Sequence, residues 1–93
     1  MKHVFRESFW RDVKKIKDKK THNRINEAIA EVDAAANLSE VQNVTKMEGV
    51  ANAYRIRVGE FRLGFYLEAD VVEFVRCLDR KYIYRYFPWG LAP

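Results

Sequence analysis

YRIRVGEFRLGF, residues 54–65, reads as a β-hairpin, and that reading decides the fold. Gly59-Glu60 supplies a two-residue turn, because glycine readily takes the positive φ that a type II′ turn needs at its first position. With those residues as the loop, Val58 pairs with Phe61, Arg57 with Arg62, Ile56 with Leu63 and Arg55 with Gly64. Side chains alternate across a sheet, so Tyr54, Ile56, Val58, Phe61, Leu63 and Phe65 share one apolar face. The opposite face carries Arg55, Arg57, Arg62, Gly64 and Tyr66. Like charges set directly opposite each other destabilise a strand pair by up to about 1 kcal/mol, so folding gains nothing from Arg57 facing Arg62. Two readings stand: a solvated polar face, or an anion site in which Gly64 leaves open space beside Arg55.

Outward from the hairpin the chain holds further strand patterns. Residues 44–47 read as a strand ended by Gly49, 68–70 as a turn, and 71–78 as the last long strand. Residues 83–87 extend that strand or form an edge, and Pro88 ends regular pairing. Val72 and Phe74 are apolar, but so are Val71, Val75 and Cys77, which predicts a sheet covered on both sides over part of its length. On the N-terminal side, Phe9, Val13 and Ile16 recur at helical spacing with Trp10 beside them, predicting an amphipathic helix over 7–18. Lys14, Lys15, Lys17, Lys19 and Lys20 cover its polar side and the turn after it. Thr21 is the expected cap of a second helix with apolar positions Ile25, Ala28, Ile29 and Val32, stopping near Ala36-Asn37. Residues 3–5 allow a short first strand. The expected fold is α+β, an N-terminal helical hairpin packed on a four-stranded, mostly antiparallel sheet.

The 93 residues make one expected domain, 1–93, and a 48% hydrophobic composition excludes a disordered chain. A net charge of +4 and a pI near 9.3 favour an acidic partner. The second half spends its positive charge on six arginines and one lysine, and arginine's rigid fork suits phosphate better than lysine's point charge. Cys77 is the only cysteine, so no internal disulfide forms and a reducing cytoplasm is the expected compartment. Its expected role is a small buried strand residue. No stretch reads as a signal peptide or membrane span. His3 and His22 lack partners at metal-ligand spacing, no Gly-rich phosphate loop or G-x-S-x-G elbow occurs, and neither metal nor cofactor is expected. Ser8 and Ser39 read as cap or turn residues.

Four segments in order resemble the RelE/ParE superfamily of bacterial type II toxin–antitoxin toxins, and within it the RelE branch. They are F-x-x-x-F-W-R-D-V-K-K-I in the first helix, N-V-T-K-M-E-G, Y-R-I-R-V-G-E-F-R-L-G-F, and V-R-C-L-D-R-K-Y-I-Y-R-Y-F. Together they span nearly the whole chain. The resemblance implies a toxin that enters the ribosomal A site and cleaves mRNA there, the 2′-hydroxyl attacking the adjacent phosphate. Arg55 and Arg57 match the basic positions of the family's Y-[KR]-x-[KR] strand and would bind phosphate. Arg62 matches the arginine of the following strand and would hold the scissile phosphate. Arg80 would stabilise the leaving side, and Tyr84 would stack on a base or help move the nucleophile's proton. Lys14, Lys15 and Lys17 would attract RNA. Asp79 stands where many relatives have histidine, and arginine stays protonated, so it is no general base; the base is left open, with Tyr84 the candidate. The alternative within the superfamily is a ParE-like, non-enzymatic toxin that inhibits DNA gyrase. The implied partners are the ribosome, mRNA and a cognate acidic antitoxin that wraps the basic surface and the aromatics Tyr82, Tyr86 and Trp89.

Overall fold

The computed structural model describes residues 1–88; Trp89 lies outside them. The chain runs through β1 (Lys2–Phe5), α1 (Glu7–Lys14), α2 (Lys19–Ala34), a short 3-10 turn (Leu38–Glu40), β2 (Val44–Lys46), β3 (Ala53–Val58), β4 (Phe61–Glu68), β5 (Val71–Asp79) and α3 (Ile83–Tyr86). The sheet order is β1-β5-β4-β3-β2. The expected four-stranded sheet is therefore corrected to a five-stranded mixed one. β2 to β5 pair antiparallel, and β1 adds to β5 in parallel, Lys2 opposite Val71 and Phe5 opposite Phe74. Four residues that precede a helix carry too little alternation to announce a partner so far away in sequence. Arg6 secures the junction, its backbone N–H donating to Phe74 O at 2.9 Å and its Nε to Glu73 Oε2 at 2.9 Å.

Local chemistry explains the boundaries. The hairpin closes in the expected register, with Gly59 at φ +58. The next turn uses Ala69 and Asp70, both at positive φ (49 and 63), as a type I′ turn requires. Helix α2 begins at Asp18 rather than at Thr21. The Asp18 carboxylate accepts from Lys20 N at 3.3 Å and from the Thr21 hydroxyl at 2.7 Å, so Thr21 supports the cap instead of forming it. Ser39 sits in the 3-10 turn, its N–H donating to Asn37 Oδ1 at 3.0 Å.

The main core lies between the two long helices and the sheet and is built on Phe9, Ile25, Val32, Leu63, Phe65 and Phe74. A smaller core, Met47, Ala53, Val75, Ile83 and Phe87, covers part of the other face. β5 serves both because Val75 has no partner across the ladder: Gly64 pairs with Arg76 and Phe65 with Phe74. This bulge shifts the alternation by one residue, so Phe74 and Cys77 face the main core while Val75 faces the smaller one. The Ser8 hydroxyl donates to the bulged Val75 carbonyl. Next to it, Asp12, only 5% exposed, accepts from Arg76 Nε at 2.7 Å and Nη2 at 3.1 Å, and from the Cys77 N–H at 3.0 Å. Burial, and then the Asp12 charge, push the Cys77 thiol up to about 12.

Residues 83–87 form a helical turn rather than a strand. I-Y-R-Y-F fits both periods, because Ile83 and Phe87 are four apart as well as alternate. The i, i+4 spacing wins: both are fully buried on the second face, and Tyr84 is left exposed. Gly64 permits this. A Cβ there would meet three Phe87 ring atoms at 2.6, 2.8 and 2.9 Å. The open space expected beside Arg55 is filled by that ring.

Gly64→Ala should therefore destabilise the fold by about 1–3 kcal/mol through overpacking. Most of that cost should vanish in a Phe87→Leu background, read as coupling in a denaturation cycle. The buried thiol sets a pH dependence. The native thiol keeps its proton up to about 12 while the unfolded one loses it near 9.0. Between those values the unfolded state binds fewer protons, so stability falls as pH rises, by up to about 1.4 kcal/mol per pH unit. Below the lower value this group adds no slope. Denaturation of the parent beside Cys77→Ala across that window should show the extra alkaline loss in the parent alone.

Candidate nucleic-acid interface

Cross-strand pairing sets Arg57 directly opposite Arg62, and Arg55 opposite Gly64. Arg62 Nη1 donates to the carbonyls of Gly59 (2.9 Å) and Phe61 (3.0 Å), and among the described residues no carboxylate pairs with it. Arg57 Nη2 donates to Asn43 Oδ1 at 3.2 Å, with Asn43 at φ 64 where β2 begins. Arg80, just beyond β5, is tied twice to the hairpin turn: its N–H donates to Glu60 O at 2.8 Å and its Nε lies 3.1 Å from Glu60 Oε2. Arg55 lies beneath Tyr84, its Cζ 5.5 Å from the ring centre, and its Nε is buried without a hydrogen-bond partner. Tyr84 itself is 57% exposed.

Arg57, Arg62 and Arg80, together with Arg24 of α2, line one cleft of about 610 Å³ whose acidic members are Glu27, Glu31 and Glu60. Burial first, and then the charges of Arg55, Arg57 and Arg80, hold the Arg62 guanidinium below its ordinary pKa, with Tyr84 opposing. The guanidinium stays charged. An anion bound here relieves that repulsion, and fixed donors on a sheet are the preorganised kind that stabilise developing negative charge.

The remaining expected residues lie apart from this cleft. Tyr84 opens onto a second cleft of about 680 Å³, formed with residues 45–49 and Pro88. Lys15 and Lys17 line a groove of about 990 Å³ on the helix side, with Tyr82 and Tyr86. Lys14, the last residue of α1, is exposed and lines none of these spaces. Arg57, Arg62 and Arg80 thus share one cleft, Arg55 meets Tyr84 outside its lining, and Lys15 and Lys17 line another groove. Arg24 and Asn43 carry no role in the sequence pattern, and Glu60 carries only that of a turn residue. The available signal for Arg24 was Lys20 four residues before it, which puts both cations on one helical face; Asn43 and Glu60 act through tertiary contacts that no spacing reveals.

These features sit on a fold shared with known toxins. No protein-family model matches the chain. It is 37% identical over 89 residues to Toxin RelE3 of Methanocaldococcus jannaschii, covering 95% of this chain and 100% of that protein. It superposes on a solved RelB–RelE antitoxin–toxin complex from Methanococcus jannaschii with TM-score 0.77 and 35% identity, covering 91% of this chain and 99% of the other. A YoeB dimer from Staphylococcus aureus shares the fold at TM-score 0.68 and 22% identity, covering 83% of this chain and 93% of that one. The chain belongs to the RelE toxin family. The ParE-like alternative finds no support in these relatives. No described helix is long and apolar enough to cross a membrane.

If Arg62 serves a ligand rather than the fold, Arg62→Ala should melt at the parent's Tm or slightly above it, because the repulsion from Arg57, worth up to about 1 kcal/mol, is removed. A drop of several degrees in thermal melting would instead assign Arg62 to holding the turn through the Gly59 and Phe61 carbonyls.

Proposed function

We propose that this toxin is a ribosome-dependent mRNA endoribonuclease that inhibits translation by cutting mRNA in the A site. The observation that carries the reading is one cleft lined by Arg57, Arg62 and Arg80, with Arg57 and Arg62 forced opposite each other at no benefit to folding. In this mechanism the 2′-hydroxyl attacks the neighbouring phosphorus and expels the 5′-oxygen, leaving a cyclic phosphate. Arg62 holds the scissile phosphate, and Arg55 and Arg57 add charge around it. Arg80, oriented by Glu60, stabilises the departing oxygen. Tyr84, with its exposed ring, stacks on a base or takes part in moving the nucleophile's proton. Lys14, Lys15 and Lys17 attract the RNA without touching the reacting atoms. An acidic antitoxin is the proposed cellular partner, since the similar RelE was solved with RelB, and the cytoplasm is the proposed compartment.

With no histidine lining the arginine cleft, free protein should cleave naked RNA poorly and depend on the ribosome for positioning or proton acceptance. On programmed ribosomes, Arg62→Ala should abolish cleavage. Tyr84→Phe keeps the stacking ring but should slow single-turnover cutting by about 10²–10⁴-fold if the hydroxyl moves a proton. Mapping mRNA 5′ ends after brief expression should give in-frame cuts. Intact mRNA, or fast ribosome-independent turnover of a short RNA, would overturn the reading.

A further inference from the structure

We infer that Arg24, on α2, is a further phosphate ligand that engages the RNA strand next to the phosphate held by Arg62. The inference rests on the ribonuclease reading above and extends the site onto a second element. Arg24 Nη1 lies 3.2 Å from the point a Cβ on Gly59 would occupy. The Gly59 carbonyl accepts from Arg62 Nη1 at 2.9 Å. Two guanidiniums from distant parts of the chain therefore approach the same bare turn, and at φ +58 that turn favours glycine.

Among the described residues Arg24 makes no ion pair and no side-chain hydrogen bond. Among the described residues, none of the carboxylates in its cleft forms an ion pair with it. Glu60 is taken by Arg80, and Glu31 accepts the Gln42 N–H. Glu27, one turn along the same helix, lines the cleft without pairing. A guanidinium held on a 16-residue helix, beside other unneutralised arginines, is pre-set for bidentate contact with phosphate. Arg24 also lines the lysine groove, which it shares with Lys20 and Lys17. It thus bridges the arginine cleft and the lysines, and the cations follow one path over the turn. A nucleic-acid strand carries one negative charge per nucleotide along its length, which suits such a path. An acidic helix would need an apolar floor, whereas this cleft is lined mainly by polar side chains.

The test is the affinity of the purified full-length protein for a short single-stranded RNA, measured by anisotropy over a range of salt. Arg24→Gln should weaken binding by about 10-fold and lower the slope of log affinity against log salt by about 0.7, the release expected for one lost single-strand phosphate contact. Arg24→Lys should recover most of the slope. Lys2→Gln removes the same charge from β1 and should leave both quantities near the parent's, with melting temperatures confirming that all variants are folded. If Arg24→Gln matches Lys2→Gln in affinity and slope, the inference is wrong although the RNA reading survives through Arg62→Ala. If the parent binds RNA without salt dependence, both fall together.

Discussion

Phe87 occupies the space that any side chain at residue 64 would need, within 2.6–2.9 Å of a Cβ built there. That contact is what lets the C-terminal turn lie on the sheet. With the ring seated over Gly64, Ile83 is buried beside it and Tyr84 is held above Arg55, 5.5 Å from its Cζ. One missing methyl thus sets the position of an aromatic ring relative to the arginines. The glycine belongs to the strand because the layer above it needs room, a packing demand rather than a turn.

Charge is distributed with the same economy. Arg76 is neutralised by a buried, bidentate carboxylate from α1, and Arg80 is oriented by the exposed Glu60 on the hairpin turn. Arg55, Arg57 and Arg62 have no acidic partner among the described residues. The Asp12 pair anchors α1 to β5 beside the bulge, where breaking one partner of a buried pair is costly. The hairpin face instead keeps repulsion that a purely structural sheet would have relieved. Local rules are broken where the ligand is expected and obeyed where the fold is built.

The two helices, the antiparallel strands and the hairpin register were legible in the sequence because each depends on neighbours a few residues away. Alternation placed Ile56, Val58, Leu63 and Phe65 on one face and the arginines on the other, and the pairing follows it residue for residue. The apolar residues on both sides of β5 correctly announced a doubly covered strand. The bulge at Val75 that reconciles them is a register shift, and register shifts leave no compositional mark.

What the sequence determined by itself was that Arg55, Arg57 and Arg62 share the strand face turned away from Ile56, Val58 and Leu63. Tertiary structure alone decided which of them share a cleft. β1 joined β5 across most of the chain's length, α3 replaced an expected strand because burying Ile83 and Phe87 over Gly64 outweighed extended pairing, and α2 brought Arg24 onto the Gly59 turn. Those outcomes depend on shape complementarity between distant segments, which periodicity along a chain does not encode.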